Sequence, residues 1–288
     1  MTRATIGNPL SWSAARLADI GHGLEAAISG IGSHETALPK VNNIGMSDIR
    51  VALRKGAEDF AALRSDVIML VLLYPVIGFA LAAETLGGGQ VHLLFPLIAG
   101  FPLVGPVTAV GLYEMSRRRE LGETTDWRAA LTALTGRVLG PVLTLGVLLV
   151  VIFLLWLIMA HAIWTATLGP VSYHSLSVFL HDTFMTDAGW TMILLGGGVG
   201  FVFAVVVLCI SLVSFPMLID RPVGVPVALA TSLSVARRNP LTTAIWGVIV
   251  AVSLMLGAIP FFTGLIVVLP ILGHATWHLY RRAVAYPA

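Results

Sequence analysis

The stretch VLGPVLTLGVLLVVIFLLWLIMAHAI, residues 138–163, decides the fold. It contains no Asp, Glu, Lys or Arg, and it exceeds the ~20 residues a helix needs to cross ~30 Å of hydrocarbon. A helix at the surface of a soluble domain keeps one polar face; this segment has none. Five further apolar segments lie at 66–86, 93–115, 191–215, 241–259 and 261–280. The last two meet at Pro260 and read as a helical hairpin, with a re-entrant pair as the alternative. Composition agrees. Hydrophobic residues make up 57% of the 288 positions and charged residues 11%, and mean hydropathy is +0.91. A soluble domain carries roughly a quarter charged residues, so the surroundings of this chain must be largely lipid. The expected fold class is an all-α membrane protein, a six-span helical bundle.

Pro75, Pro96, Pro102, Pro106, Pro216 and Pro270 lie within or at the ends of these segments. Spanning helices tolerate proline where neighbouring helices satisfy the freed carbonyls. Three prolines in 93–115 predict a bent second span.

Basic residues set the orientation. Arg50, Arg54, Lys55 and Arg64 precede the first span. Arg117, Arg118, Arg119, Arg128 and Arg137 lie between the second and third, Arg221, Arg237 and Arg238 between the fourth and fifth, and Arg281 and Arg282 at the end of the sixth. With Arg3, Arg16 and Lys40 this accounts for all 17 Lys and Arg. The connections around Gly88, around His174 and at Pro260 contain none. The basic side is expected to be cytoplasmic, in a bacterial inner membrane, with both termini on it. The expected division is a cytoplasmic tail over 1–45, one transmembrane domain over 46–284 and a short C-terminal tail over 285–288. Asp19, His22 and Glu25 interrupt the region where a signal peptide would need its apolar core. The tail has two open readings, a surface helix over 12–28 or a mobile segment.

Three basic-side connections show helical periodicity. In 47–63, Ile49, Leu53, Phe60 and Leu63 form an apolar stripe, with Arg50, Arg54, Glu58 and Asp59 placed away from it. In 126–137 the apolar set is Trp127, Ala130, Leu131 and Leu134; in 226–238 it is Leu229, Leu233 and Ala236. Each reads as an amphipathic helix in the membrane interface. The expectation is three repeats of one interfacial helix followed by a transmembrane hairpin. On the opposite side, the loop over 168–189 is expected to hold a short helix over 174–184. Leu176, Phe179 and Leu180 would dip into lipid, and Asp182 and Asp187 would face outward.

His274 and His278 are four residues apart and share a helix face. They are the candidate haem or metal ligands. The alternative has His274 bonded to a neighbouring helix and His278 at the interface beside Trp277 and Tyr280. His161 cannot join them: it sits at the other membrane face, whereas His274 is about 21 Å inward from Pro260 at 1.5 Å per residue. Asp66, Glu114, Arg117, Asp220, His274 and His278 define a polar layer at the cytoplasmic face, the candidate functional region. Arg117 or Arg281 is the expected partner of Glu114. Gly196 and Gly200 are four apart, a spacing that lets helices approach closely. Cys209, the only cysteine, reads as a thiol packed in a helix.

Several function classes lose support. The middle third of every apolar segment lacks Asp, Glu, Lys and Arg, where ion-coupled carriers generally place an ionisable group. Neither a zincin, a phosphate-loop nor a hydrolase nucleophile motif is present. There is no basic stripe for nucleic acid.

Several stretches resemble a bacterial domain-of-unknown-function family of predicted integral membrane proteins. They include Ala52-Leu53-Arg54-Lys55-Gly56 with Asp59-Phe60, Leu94-Phe95-Pro96-Leu97, Gly111-Leu112-Tyr113-Glu114 with Ser116-Arg117-Arg118-Arg119-Glu120, Pro216-Met217-Leu218 with Asp220-Arg221, and Pro270-Ile271-Leu272-Gly273-His274-Ala275-Thr276-Trp277-His278. Some members are labelled cytochrome c oxidase subunit I. That subunit has twelve spans and widely separated metal-binding histidines, which this chain does not match. The resemblance implies topology and an accessory or assembly role beside a respiratory oxidase. The expected function is a non-enzymatic scaffold or accessory component with no cofactor. The alternatives are a carrier or channel for a neutral or lipid-like solute, and a haem or metal protein using His274 and His278.

Overall fold

A computed structural model of the chain describes residues 39–286, except 89, 101–104, 133–135, 170–172, 174 and 261. Both readings of the tail over 12–28 fall outside the described residues, as do His174, Leu134 and Pro102.

The prolines explain much of the helix layout. α1 (Met46–Val71) and α2 (Leu73–Gly87) run on from one another with a break at Leu72. Pro75 has no N–H for the carbonyl four residues back, which places the break at 71–72. Among the described residues the second apolar segment contains α3 (Leu94–Gly100), α4 (Gly105–Thr108) and α5 (Val110–Glu120), with α4 and α5 interrupted at Ala109. The indole N–H of Trp156 donates to the Pro96 carbonyl at 2.9 Å, one of the ways a broken intramembrane helix is re-satisfied.

A short α6 (Trp127–Thr132) leads to α7 (Leu139–Thr167). The loop helix is α8 (Leu176–Met185), followed by α9 (Asp187–Ser211) and α10 (Ser214–Asp220). Cys209 is half-buried on α9. Next come α11 (Val225–Arg238), α12 (Pro240–Ala258) and α13 (Leu265–Ala283). Two short strands, β1 (Lys40–Val41) and β2 (Val284–Ala285), pair antiparallel. The two ends of the described chain therefore lie side by side.

At the junction of α9 and α10 a side chain enters the helical ladder. Val213 N donates to Ser232 Oγ at 3.3 Å, and that hydroxyl donates to the Cys209 carbonyl at 2.7 Å. The α11 serine thus stands where the bond from residue 213 to residue 209 would be.

Among the described residues three helical stretches are long and apolar enough to cross a membrane: Gly136–Thr167, Asp187–Asp220 and Pro240–Ala258. In the most apolar windows of the first and third only 28% and 17% is buried. Most of their surface is left for lipid or other helices. The pieces 66–86, 93–115 and 261–280 are shorter, interrupted or more polar.

Among the described residues, α1 has 26 residues and enters the next helix directly, α11 has 14, and α6 is described over 6. α1 buries its face at Ile49, Ala52, Gly56, Asp59, Leu63 and Val67, and it packs along α13. A Cβ at Gly56 would stand 2.6 Å from the Ile271 carbonyl oxygen and 2.7 Å from the Ala275 nitrogen. Only glycine admits so close an approach. On the opposite side Phe179 turns inward, joining Val91, Trp164 and Tyr173 in a small core, while Leu176 and Leu180 are exposed. Asp182 accepts from the Tyr173 hydroxyl at 3.0 Å.

Candidate functional site: a buried Asp–Ser–His network

The seam between α1 and α13 carries more than apolar side chains. Asp59 lies three residues after Gly56 on the same face of α1, so the close approach that Gly56 allows buries its carboxylate. His274 and His278 occupy the facing side of α13, and Ser116 enters from α5. All four are less than 9% exposed.

Asp59 Oδ2 accepts two hydrogen bonds, from Ser116 Oγ at 2.7 Å and from His278 Nε2 at 2.8 Å. Arg119 Nε stands 3.5 Å from Asp59 Oδ1. Burial alone would raise the Asp59 pKa; the hydrogen bonds from His278 and Ser116, together with nearby positive charge, outweigh it and hold the group below the usual carboxylate value. An ionised Asp59 takes the single Ser116 proton. The 2.7 Å contact between Ser116 Oγ and His274 Nδ1 then requires Nδ1 to carry the hydrogen and donate it. In the neutral ring His274 Nε2 is then the unprotonated nitrogen, buried and outside hydrogen-bonding geometry with any group among the described residues. The result is one chain of contacts, His274–Ser116–Asp59–His278, joining three helices.

The rest of the polar layer surrounds this chain. Glu114, itself buried, accepts from Arg117 Nε at 2.8 Å and from Arg118 Nε at 2.7 Å. Arg281 does not reach Glu114. It donates to Glu120 Oε1 and to Asp220 Oδ2, each at 3.2 Å. Trp277 Nε1 also donates to Glu120, at 2.9 Å, and the Tyr280 hydroxyl donates to Asp220 at 2.7 Å. Asp66 stands apart, accepting from the backbone N–H of Trp127 at 3.3 Å.

The structure therefore brings His274 and His278 to one site. Each ring turns toward the Asp59–Ser116 pair, and no common third point is shared. His278 is buried in a helix seam, where Asp59 supplies its ring with a carboxylate. Among the described residues no group of three or more His, Cys, Asp and Glu side chains is disposed to hold a metal ion. Gly200 meets the Trp156 ring, whereas a Cβ at Gly196 would have open space around it.

Sequence reading missed Asp59 and Ser116. Asp59 was grouped with the charges off the apolar stripe. The signal that finds it is the small-residue register Ala52–Gly56–Asp59–Leu63, spaced 4, 3 and 4 along one helix face. A carboxylate in such a row is bound for a seam. Ser116 has no comparable signal.

Residues 94–220, less than half of the chain, match the family described as predicted integral membrane protein (DUF2189). This is the domain-of-unknown-function membrane family that the sequence resembles. The matched region includes Glu114, Ser116, Arg117 and Asp220, while Asp59, His274 and His278 lie outside it. No curated protein and no solved structure shows significant similarity to the chain.

Proposed function

We propose that this protein, whose composition and family match make it an integral membrane protein, is a non-enzymatic scaffold or accessory component of a bacterial inner-membrane assembly, with a respiratory complex as the partner class. The observation that carries the reading is the closed use of the buried network. Ser116 gives its proton to Asp59 and takes one from His274, so its hydroxyl serves to hold α1, α5 and α13 together. A nucleophilic serine needs a base positioned to remove its proton, and here the proton is directed to a carboxylate already bonded to His278. Glu114, Glu120 and Asp220 are likewise spent on arginine, tryptophan and tyrosine donors. The basic side thus becomes a tied platform, beneath long apolar helices whose outer faces stay available in the bilayer.

The reading includes six crossings with both ends cytoplasmic. Pairing of β1 with β2 supports an even number, since adjacent ends must lie on one side. The three long apolar stretches alone would be odd in number. The returns supplied by α13, by α1–α2 and by α3–α5 restore an even count of six. Every Lys and Arg then falls on one side of the bilayer.

Native purification in a mild detergent tests the function. A membrane-protein partner should be retained in fixed ratio through two chromatographic steps. A monodisperse particle of this chain alone, with no partner after crosslinking in membranes, overturns the reading.

A further inference from the structure

The end of α7 far from the buried network holds a second pair of imidazoles. His161 lies on α7 one turn before Trp164, and His92 lies in the 3-10 turn Val91–Leu93. Though 69 positions apart, His92 Nε2 and His161 Nδ1 stand 3.1 Å from one another. The His92 ring stacks on the Trp164 indole, with centroids 3.7 Å apart and planes 9° apart. Val91, Trp164, Tyr173 and Phe179 form the small core beneath, and the backbones of Gln90 and Tyr173 are paired beside it. His161 is exposed and His92 half-buried. Asp182, a carboxylate at this end, is engaged by Tyr173 and His181.

We propose that His92 and His161 form a two-imidazole binding site for a borderline first-row divalent cation, Zn²⁺, Cu²⁺ or Ni²⁺, on the face opposite the basic platform. The geometry is that of two neighbouring ligands on one ion. Metal–nitrogen bonds of about 2.0–2.1 Å set adjacent ligand nitrogens roughly 2.8–3.0 Å apart at a right angle and roughly 3.3–3.4 Å apart at the tetrahedral angle, and the observed 3.1 Å lies between the two. On binding, the hydrogen that the two rings share moves to the other nitrogen of its own ring, so that both facing nitrogens present lone pairs to an ion lying off the line between them. The donor type selects the metal: imidazole suits zinc, copper and nickel, while magnesium and calcium take oxygen. Stacking on Trp164 holds one ring in place before any ion arrives, which lowers the ordering cost of binding. With two protein donors among the described residues, water fills the remaining positions. Such a site is open and exchanging, unlike the closed four-ligand sites that hold a fold together.

The full chain, purified in detergent and stripped with a chelator, is titrated with Zn²⁺ by calorimetry and with Cu²⁺ by electron paramagnetic resonance. One ion per chain is expected at this site, with nitrogen hyperfine structure in the copper spectrum. His92→Gln and His161→Gln should each weaken binding by about tenfold or more, since even an outer-shell partner of a metal site is worth that much. His181→Gln, on the same face, should leave it unchanged. His161 is exposed, so its substitution tests the site without endangering the fold. Absence of saturable binding in the wild type overturns the proposal, as does binding that survives His161→Gln.

Discussion

Asp59 and His278 are 219 positions apart in the chain, and their Oδ2 and Nε2 atoms are 2.8 Å apart in the fold. That bond closes the seam between α1 and α13. It depends on Gly56, one turn before Asp59, to let the helices approach, and on Ser116 to occupy the other side of the same oxygen.

Removing the carboxylate should therefore loosen three helices at once. Asp59→Ala leaves the Ser116 hydroxyl and the His278 N–H buried without their acceptor. Leaving a buried hydrogen-bonding group unpaired costs about 1–3 kcal/mol. The expected outcome is a lowered melting temperature in detergent, with Asp59→Asn intermediate because its carbonyl still accepts. Equal melting of wild type and Asp59→Ala would show that the network carries no stability.

The same group sets an acid limit. Its folded pKa lies below the unfolded value, so its contribution is fully present above about pH 4, the ordinary aspartate value. That contribution is lost as pH falls through the lower folded pKa. Melting temperature followed from pH 6 to pH 3 should fall more steeply in the wild type than in Asp59→Asn. Parallel curves would refute the assignment.

Gly56 offers a steric test. A leucine side chain cannot fit where a Cβ already meets the Ile271 carbonyl at 2.6 Å. Gly56→Leu should destabilise by about 1–3 kcal/mol or more, the cost of overpacking, and should expose the seam to protease. Gly196→Ala is the control. Open space surrounds a Cβ there, and alanine favours helix, so stability should hold or rise slightly.

Ser232 can be tested in the same melts. Ser232→Ala removes the hydroxyl that serves both Val213 N and the Cys209 carbonyl. Leaving buried backbone groups unpaired costs about 1–3 kcal/mol, so Ser232→Ala should melt below wild type. Ser232→Thr, which keeps the hydroxyl, should retain more of the stability. Alanine and wild type melting together would mean that the ladder recloses without the serine.

Orientation can be read by labelling. In a Cys209→Ser background, Lys40→Cys and Ala285→Cys should react with an impermeant thiol reagent only after the inner membrane is opened. Ser175→Cys should react in intact spheroplasts. Labelling of residue 175 together with 40 from one side would contradict an arrangement that separates them.

The membrane class was legible from residues taken one at a time. An uncharged run such as 138–163 has no soluble alternative, whatever packs against it. An interruption of the second segment was legible from its prolines, because a missing N–H is a local fact. The polar layer was legible as a layer, since Glu114, Asp220, His274 and His278 all sit near arginines at one end of their segments. Its internal pairing was not. Arg281 chose Glu120 and Asp220 over Glu114 because α5, α10 and α13 converge there, and helix convergence is not a property of any one segment. For the same reason His161, set aside as a partner for His274, found His92.

The sequence by itself determined that this chain is a helical membrane protein whose basic residues lie outside its longest apolar segments. Hydrophobic transfer and charge exclusion act on each residue independently, so a linear reading captures them. Only the tertiary structure decided that Asp59 is buried and Ser116 bonded on both sides, and that the two histidines of α13 serve one carboxylate. Those outcomes depend on how closely two helices approach. A single missing side chain at Gly56 sets that distance, and its effect appears only when the facing helix is in place.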